Sequence, residues 1–145
     1  MFVLVVGVGR VGASVAKRAL ERGDTVSVLD RDALSHEQLE QGMPTTWEEA
    51  GGLFTVGAAL ESDALIAAGI ERADVVVAAT NGDNTNLVVA QIAKERFKVS
   101  KVIARVLDPA RAEWYGQRGG IETICGTSRA IELVDNSIAA AEGGS

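Results

Sequence analysis

One cysteine, Cys125, and one histidine, His36, stand in the 145 residues. A single cysteine excludes a disulfide framework and a cysteine-built metal site, and it fits a reducing cytoplasm. With His36 on a polar stretch and read as solvated, no base–nucleophile pairing or metal cluster emerges from the spacing. Aromatic residues make up only 4%, so Val, Ile, Leu and Ala must fill the core, as in parallel strands covered on both faces by helices. No apolar run reaches the about 18 residues of a membrane span, and no membrane insertion is expected. The opening Met-Phe-Val-Leu-Val-Val-Gly lacks a basic segment and reads as a strand, not as a signal peptide. Positive charge is in deficit: the net charge of −6 repels a phosphate backbone at long range, so nucleic acid is not an expected partner. A single phosphate held by backbone N–H groups is still permitted.

What is present is an apolar fraction of 47% against 23% charged residues, in a chain of one-domain length. Short apolar runs alternate with helical patterns. Strands are expected at Val3–Val6, Thr25–Leu29, Leu53–Val56, Asp74–Ala79, Lys101–Val106 and Glu122–Cys125. Helices are expected at Val11–Arg22, Ser35–Gln41, Asp63–Ala68, Asn86–Phe97, from Pro109 to about Gln117, and beyond Ser128, which reads as the last helix's N-cap. Residues Gly42–Gly52, with Pro44, Thr45, Thr46 and a glycine pair, read as a surface loop. The alternation predicts an α/β, doubly wound parallel sheet of Rossmann type in the order 3-2-1-4-5-6, followed by a C-terminal helix with Ile131, Val134 and Ile138 on one stripe. Residues 1–126 are expected to form the nucleotide-binding domain, and 127–145 an interface helix and tail. Right-handed crossovers put the ligand crevice at the carboxyl ends of strands 1 and 4.

That crevice begins with G-x-G-x-x-G. Gly7-Val8-Gly9-Arg10-Val11-Gly12 directly follows the first strand and opens a helix. Gly7 permits the tight turn, Gly9 lets a pyrophosphate approach the backbone, and Gly12 lets the helix pack on the strand. The phosphate would rest on the helix N-terminus. Asp30 ends the second strand, eighteen residues after Gly12, close to the spacing of about 20 at which a carboxylate accepts from the ribose hydroxyls. It would repel a 2′-phosphate, which favours NAD over NADP. Arg10 reads either as a phosphate contact or as a solvated cation, and Arg31 either as an adenine neighbour or as a turn residue. Thr80 and Asn81 follow strand 4 and read as ligand contacts, with Asp83, Asn84 and Asn86 extending the polar cluster toward helix capping. Arg105, inside strand 5, needs a partner: a phosphate, or a carboxylate such as Asp108. Cys125 reads as a small core residue.

Taken together, Val5-Val6-Gly7-Val8-Gly9-Arg10-Val11-Gly12, Val28-Leu29-Asp30-Arg31, Ala68-Gly69-Ile70-Glu71-Arg72-Ala73-Asp74, Ala79-Thr80-Asn81-Gly82-Asp83-Asn84-Thr85-Asn86, Val102-Ile103-Ala104-Arg105-Val106 and Pro109 resemble the TrkA-N (KTN, or RCK N-terminal) domain of bacterial Trk/Ktr potassium uptake systems. The resemblance implies NAD(H) or ATP/ADP as ligand and a gating role without chemistry. It implies a homodimer assembling into a ring, on the cytoplasmic side of a membrane-embedded potassium transporter subunit. It places Gly7, Gly9, Arg10 and Gly12 on phosphate, Asp30 on ribose, Thr80 and Asn81 in the crevice, and Arg105 near the phosphates. Arg10 would reach across the dimer, and the last helix would cross onto a neighbouring subunit. Two features depart from the pattern: Gly57-Ala58 stands where an acid usually follows strand 3, and the 32–52 connection is long. The chain also stops where a C-terminal sensing domain would begin. The alternative reading is the cofactor half of an NAD-dependent dehydrogenase, which would need a substrate pocket and an acid–base group supplied elsewhere.

Overall fold

Side chains on a strand alternate between its two faces, and here both faces are core. Leu4 and Val6 join one buried cluster, Val3 and Val5 the other. The same division runs through the neighbouring strands, with Leu29, Val76 and Ala78 on the first side and Val26, Val28, Val75 and Val77 on the second. A sheet apolar on both faces must be sandwiched by helices. The computed structural model describes residues 1–143 and has this arrangement.

The elements are β1 (Phe2–Val6), α1 (Arg10–Glu21), β2 (Thr25–Asp30), α2 (Ser35–Glu40), β3 (Leu53–Val56), α3 (Ser62–Ala67), β4 (Val75–Ala78), α4 (Asp83–Gln91), β5 (Lys101–Arg105), α5 (Pro109–Arg118), β6 (Glu122–Ile124) and α6 (Gly126–Gly143). All six strands are parallel, in the order β3-β2-β1-β4-β5-β6. Val5 pairs with Val28 on one side and Val77 on the other. Helix α1 buries Gly12, Ala13, Ala16 and Ala19, a stripe small enough to lie close to the sheet. The order reverses at β1, between β2 and β4, so the loops leaving these strands diverge and open a crevice at their carboxyl ends.

The order, the parallel pairing and the C-terminal helix agree with the sequence reading, and four local features differ from it. Segment 42–52 is not simply a surface loop. Trp47 within it is fully buried against the α1 side of the sheet, and its indole N–H donates to the Leu53 carbonyl at 2.9 Å. Gly52 makes room, because a Cβ there would overlap the indole ring. Ser128 caps nothing, since α6 already starts at Gly126 and Ser128 lies in its first turn. The helix expected from Asn86 begins at Asp83, and its end, Ile92–Arg96, widens into a π-helical turn. His36 is not free in solvent: its ring is half-buried, bonded to Glu48 and edge-on to Phe54 at 5.2 Å. Cys125 packs partly buried against the core, as expected.

Helix α6 has no buried residue. Ile131, Leu133, Val134 and Ile138 are each more than half exposed. The last two residues of the expected interface tail, 144–145, lie outside the described residues. Among the described residues no helix is long and apolar enough to cross a membrane.

Candidate functional site

The three glycines of the loop after β1 serve distinct purposes. Gly7 has φ +97°, and a Cβ on it would lie 2.7 Å from the Thr80 nitrogen, so the β1 and β4 loops touch through backbone alone. A Cβ on Gly12 would overlap the Gly7 carbonyl oxygen; glycine is what lets α1 start this close to β1. Gly9 has ordinary dihedrals, φ −81° and ψ −161°, and a Cβ there would meet only the Asn81 side chain, at 3.9 Å. The space above Gly9 is open. Helix α1 begins at that point with no side-chain cap and no acidic residue in its first turn. Its first N–H groups and the positive end of its dipole therefore face outward, which suits an anion.

Asp30 closes the turn from the other side. One carboxylate oxygen accepts the Val8 N–H at 2.8 Å and the other the Asp32 N–H at 2.8 Å. Each oxygen keeps a further lone pair. The carboxylate thus pins the glycine loop while remaining a pure acceptor toward hydroxyl donors. Asp32 in turn accepts the Leu34 N–H at 2.9 Å, which fixes the turn leading into α2.

On the β4 side the organising residue is Asn86, buried at the start of α4. Its amide oxygen accepts the Thr80 N–H at 2.9 Å and the Thr80 hydroxyl at 2.6 Å. Its amide nitrogen donates to the carbonyls of Thr80 at 3.0 Å and Arg105 at 2.8 Å. It ties the ends of β4 and β5 together. The sequence places Asn86 in the polar cluster but cannot show this role, which depends on two strands meeting. Because the Thr80 hydroxyl spends its proton on Asn86, it can meet a ligand only as an acceptor: it suits a sugar hydroxyl better than a phosphate. Asp83 is similarly engaged, accepting the Leu107 and Asp108 N–H groups at 2.8 and 3.1 Å.

These loops enclose a cleft of about 550 Å³, within the range of about 300–1,000 Å³ usual for small-molecule sites. Of the sequence-predicted residues, Gly7, Val8, Gly9, Asp30, Arg31, Thr80 and Asn81 line it. Arg10 and Val11 are exposed just outside, on the first turn of α1, and Gly12 is buried beneath the loop. Arg105 is half-buried in β5 and does not reach the cleft wall. Among the described residues it has no ion pair; Asp108, its possible carboxylate partner, instead caps α5 through the Ala110 N–H at 3.1 Å. The sequence reading missed the wall formed by Ala59 and Leu60 beyond β3, and by Ser35 and Gln38 of α2. Gly57, Ala58, Ala59 and Leu60 make the lining contributed beyond β3 apolar. The only signal for them is their position after a strand of the sheet.

A family model described as the TrkA-N domain matches residues 3–127. A Trk system potassium uptake protein TrkA of Streptomyces coelicolor is 40% identical over 124 residues, which are 86% of this chain and 52% of that protein. A protein of the same name from Mycobacterium tuberculosis is 33% identical over 140 residues, 95% of this chain and 60% of that protein. The chain thus spans little more than half the length of these relatives. Among solved structures, the Kef C-terminal domain of Shewanella denitrificans in its AMP-bound form superposes with a TM-score of 0.74 at 22% identity, covering 97% of this chain and 82% of that one.

Proposed function

Since the chain belongs to the TrkA-N domain family, we propose that it is the nucleotide-sensing domain of a potassium-uptake regulator, holding NAD(H) or ATP/ADP in the glycine-loop cleft without chemical turnover. The observation that carries this reading is the Asp30 carboxylate. It bonds the Val8 N–H of the phosphate loop and keeps acceptor lone pairs toward the cleft. A ligand with vicinal hydroxyls next to a phosphate satisfies both: the ribose hydroxyls donate to Asp30, and the phosphate takes the N–H groups at the start of α1. The apolar end at Gly57–Leu60 accepts a flat base with few polar demands. Arg31 also lines the cleft and can stack on that base. The AMP-bound state of a protein with the same fold supports the adenine class.

In this reading the domain works in the cytoplasm, as a homodimer within a ring beneath a membrane-embedded transporter subunit. Residues 127–145 then act as a unit separate from the nucleotide domain 1–126. The exposed apolar residues of α6 support this division, since a stripe left open on one copy is covered when copies pair. Arg10, exposed at the rim of the cleft, would reach the phosphates of a neighbouring copy. Regulation requires the ligands to bind the two states of the assembly with different affinity.

Uptake of radioactive rubidium tests the proposal. In cells lacking their own Trk regulators, the transporter is expressed with the gene that encodes this chain. Uptake is expected to depend on the gene and to change when Gly9→Ala blocks the phosphate seat. Uptake indifferent to the gene's presence would sink the proposal.

A further inference from the structure

On the α1 side of the sheet three side chains converge that sequence spacing alone does not bring together. His36 and Glu40 stand one turn apart on α2, and Glu48 arrives from the segment that carries Trp47. One ligand atom from each lies within 4.8 Å of the others. Glu48 grips the imidazole Nε2 at 2.6 and 2.7 Å with its two oxygens. A carboxylate only accepts, so Nε2 carries the proton, and in the neutral ring Nδ1 is left with a bare lone pair. That lone pair faces Glu40 Oε1 at 3.5 Å. The other oxygen of Glu40 is held by the Trp47 N–H at 2.7 Å. Nδ1 and Oε1 thus stand side by side, each side chain fixed from behind by a hydrogen bond. Among the described residues no Lys or Arg pairs with either glutamate.

The spacing of the two atoms suits a bridging metal ion. Two ligands on a tetrahedral zinc ion, each about 2.1 Å from the metal, stand about 3.4 Å apart. The observed 3.5 Å fits the metal. The surrounding bonds also fit: a ligating histidine usually donates its other N–H to a carboxylate, and a ligating carboxylate is itself hydrogen-bonded.

We propose that His36 Nδ1 and Glu40 Oε1 bind a divalent transition-metal ion of the zinc class, with Glu48 as the positioning residue that fixes the histidine tautomer. The remaining coordination positions face solvent, since all three side chains are partly exposed. Such an ion would staple one turn of α2, and the Glu48 bond to the imidazole would tie that turn to the segment around Trp47. The site is independent of the nucleotide reading. A hard ion such as Mg²⁺, which prefers oxygen ligands throughout, is excluded by the imidazole.

The test is calorimetric titration of the 145-residue chain, stripped with chelator, first with ZnCl₂ and then with MgCl₂. Co²⁺ serves as a spectroscopic substitute whose visible absorption reports tetrahedral coordination. One equivalent of Zn²⁺ is expected to bind, Mg²⁺ is not, and Co²⁺ should give the tetrahedral spectrum. His36→Gln and Glu40→Gln should abolish both signals. Glu48→Gln should weaken Zn²⁺ by roughly 10–100-fold while keeping the spectrum, as removal of an orienting partner does. Cys125→Ser should leave binding unchanged, which separates the site from the free thiol. Absence of Zn²⁺ binding to the folded wild-type chain, or equal affinity in the folded His36→Gln variant, would overturn the proposal.

Discussion

Gly12→Ala is expected to destabilise the chain by about 3 kcal/mol or more, at the upper end of overpacking costs. The added methyl would overlap the Gly7 carbonyl oxygen and lie 3.0 Å from its carbon, with Val5 already in ordinary contact behind it. Neither side can yield cheaply. The oxygen belongs to a turn whose backbone is already left-handed at Gly7 and in contact with Thr80, and Val5 is fully buried in the central strand. The helix must therefore lift off the sheet along its whole Gly12–Ala13–Ala16–Ala19 stripe. Urea denaturation followed by circular dichroism measures the effect as a lower midpoint. The matched control is Gly9→Ala, only two positions from the Gly7 turn. A Cβ there meets nothing closer than 3.9 Å and the backbone dihedrals suit alanine. Its midpoint should stay near the wild-type value. Equal losses in the two variants would show that the loop's glycines do not divide into packing and ligand-facing roles.

Trp47→Ala should cost about 3–5 kcal/mol, the usual range for truncating a fully buried large aromatic. For a chain of this length that corresponds to a fall in Tm of roughly 10 °C, at about 2–4 °C per kcal/mol. The loss combines an emptied volume between Leu39 and the β1–β2 face with the hydrogen bond to the Leu53 carbonyl at 2.9 Å. Trp47→Phe keeps most of the volume and loses only the N–H, so it should cost less than half as much. Differential scanning calorimetry of the two variants separates the contributions. A Trp47→Ala variant as stable as wild type would mean that segment 42–52 is a surface loop after all.

The Trp47 segment also shows where sequence reading stops. Glycine, proline and threonine around it carry turn chemistry, and that signal is real: the backbone there does turn. But turn propensity describes the backbone and is silent on where one large side chain goes. A tryptophan in a polar stretch of a chain with only 4% aromatics was the available hint. The strand order, by contrast, was legible because runs such as Val3–Val6 and Val75–Ala78 are apolar at every position, as strands buried on both faces must be. At the cleft, Gly7, Gly9 and Asp30 were legible because their spacing reflects one local strand–turn–helix unit. The Asn86 clamp between Thr80 and Arg105 was not, since it depends on β4 and β5 ending side by side. The His36–Glu48 contact was hidden for a similar reason, because it joins α2 to a segment with no periodicity of its own.

The position of Asp30 sets what the cleft can hold. Its two oxygens already organise the turn through Val8 and Asp32, so its removal should both loosen the phosphate loop and delete the ribose acceptor. Hydrogen bonds to a charged group are worth about 1.5–3 kcal/mol each, and every 1.4 kcal/mol is about tenfold in affinity. The decisive measurement is calorimetric titration of the wild-type chain and of Asp30→Ala with NAD, NADH, NADPH, ATP and ADP. At least one of NAD, NADH, ATP or ADP is expected to bind the wild type, NADPH at least about tenfold more weakly than NADH, and Asp30→Ala to lose about tenfold or more of that affinity. Failure of every nucleotide to bind the folded wild-type chain, or the same affinity with and without the Asp30 carboxylate, would contradict the assignment of this cleft to an adenine nucleotide.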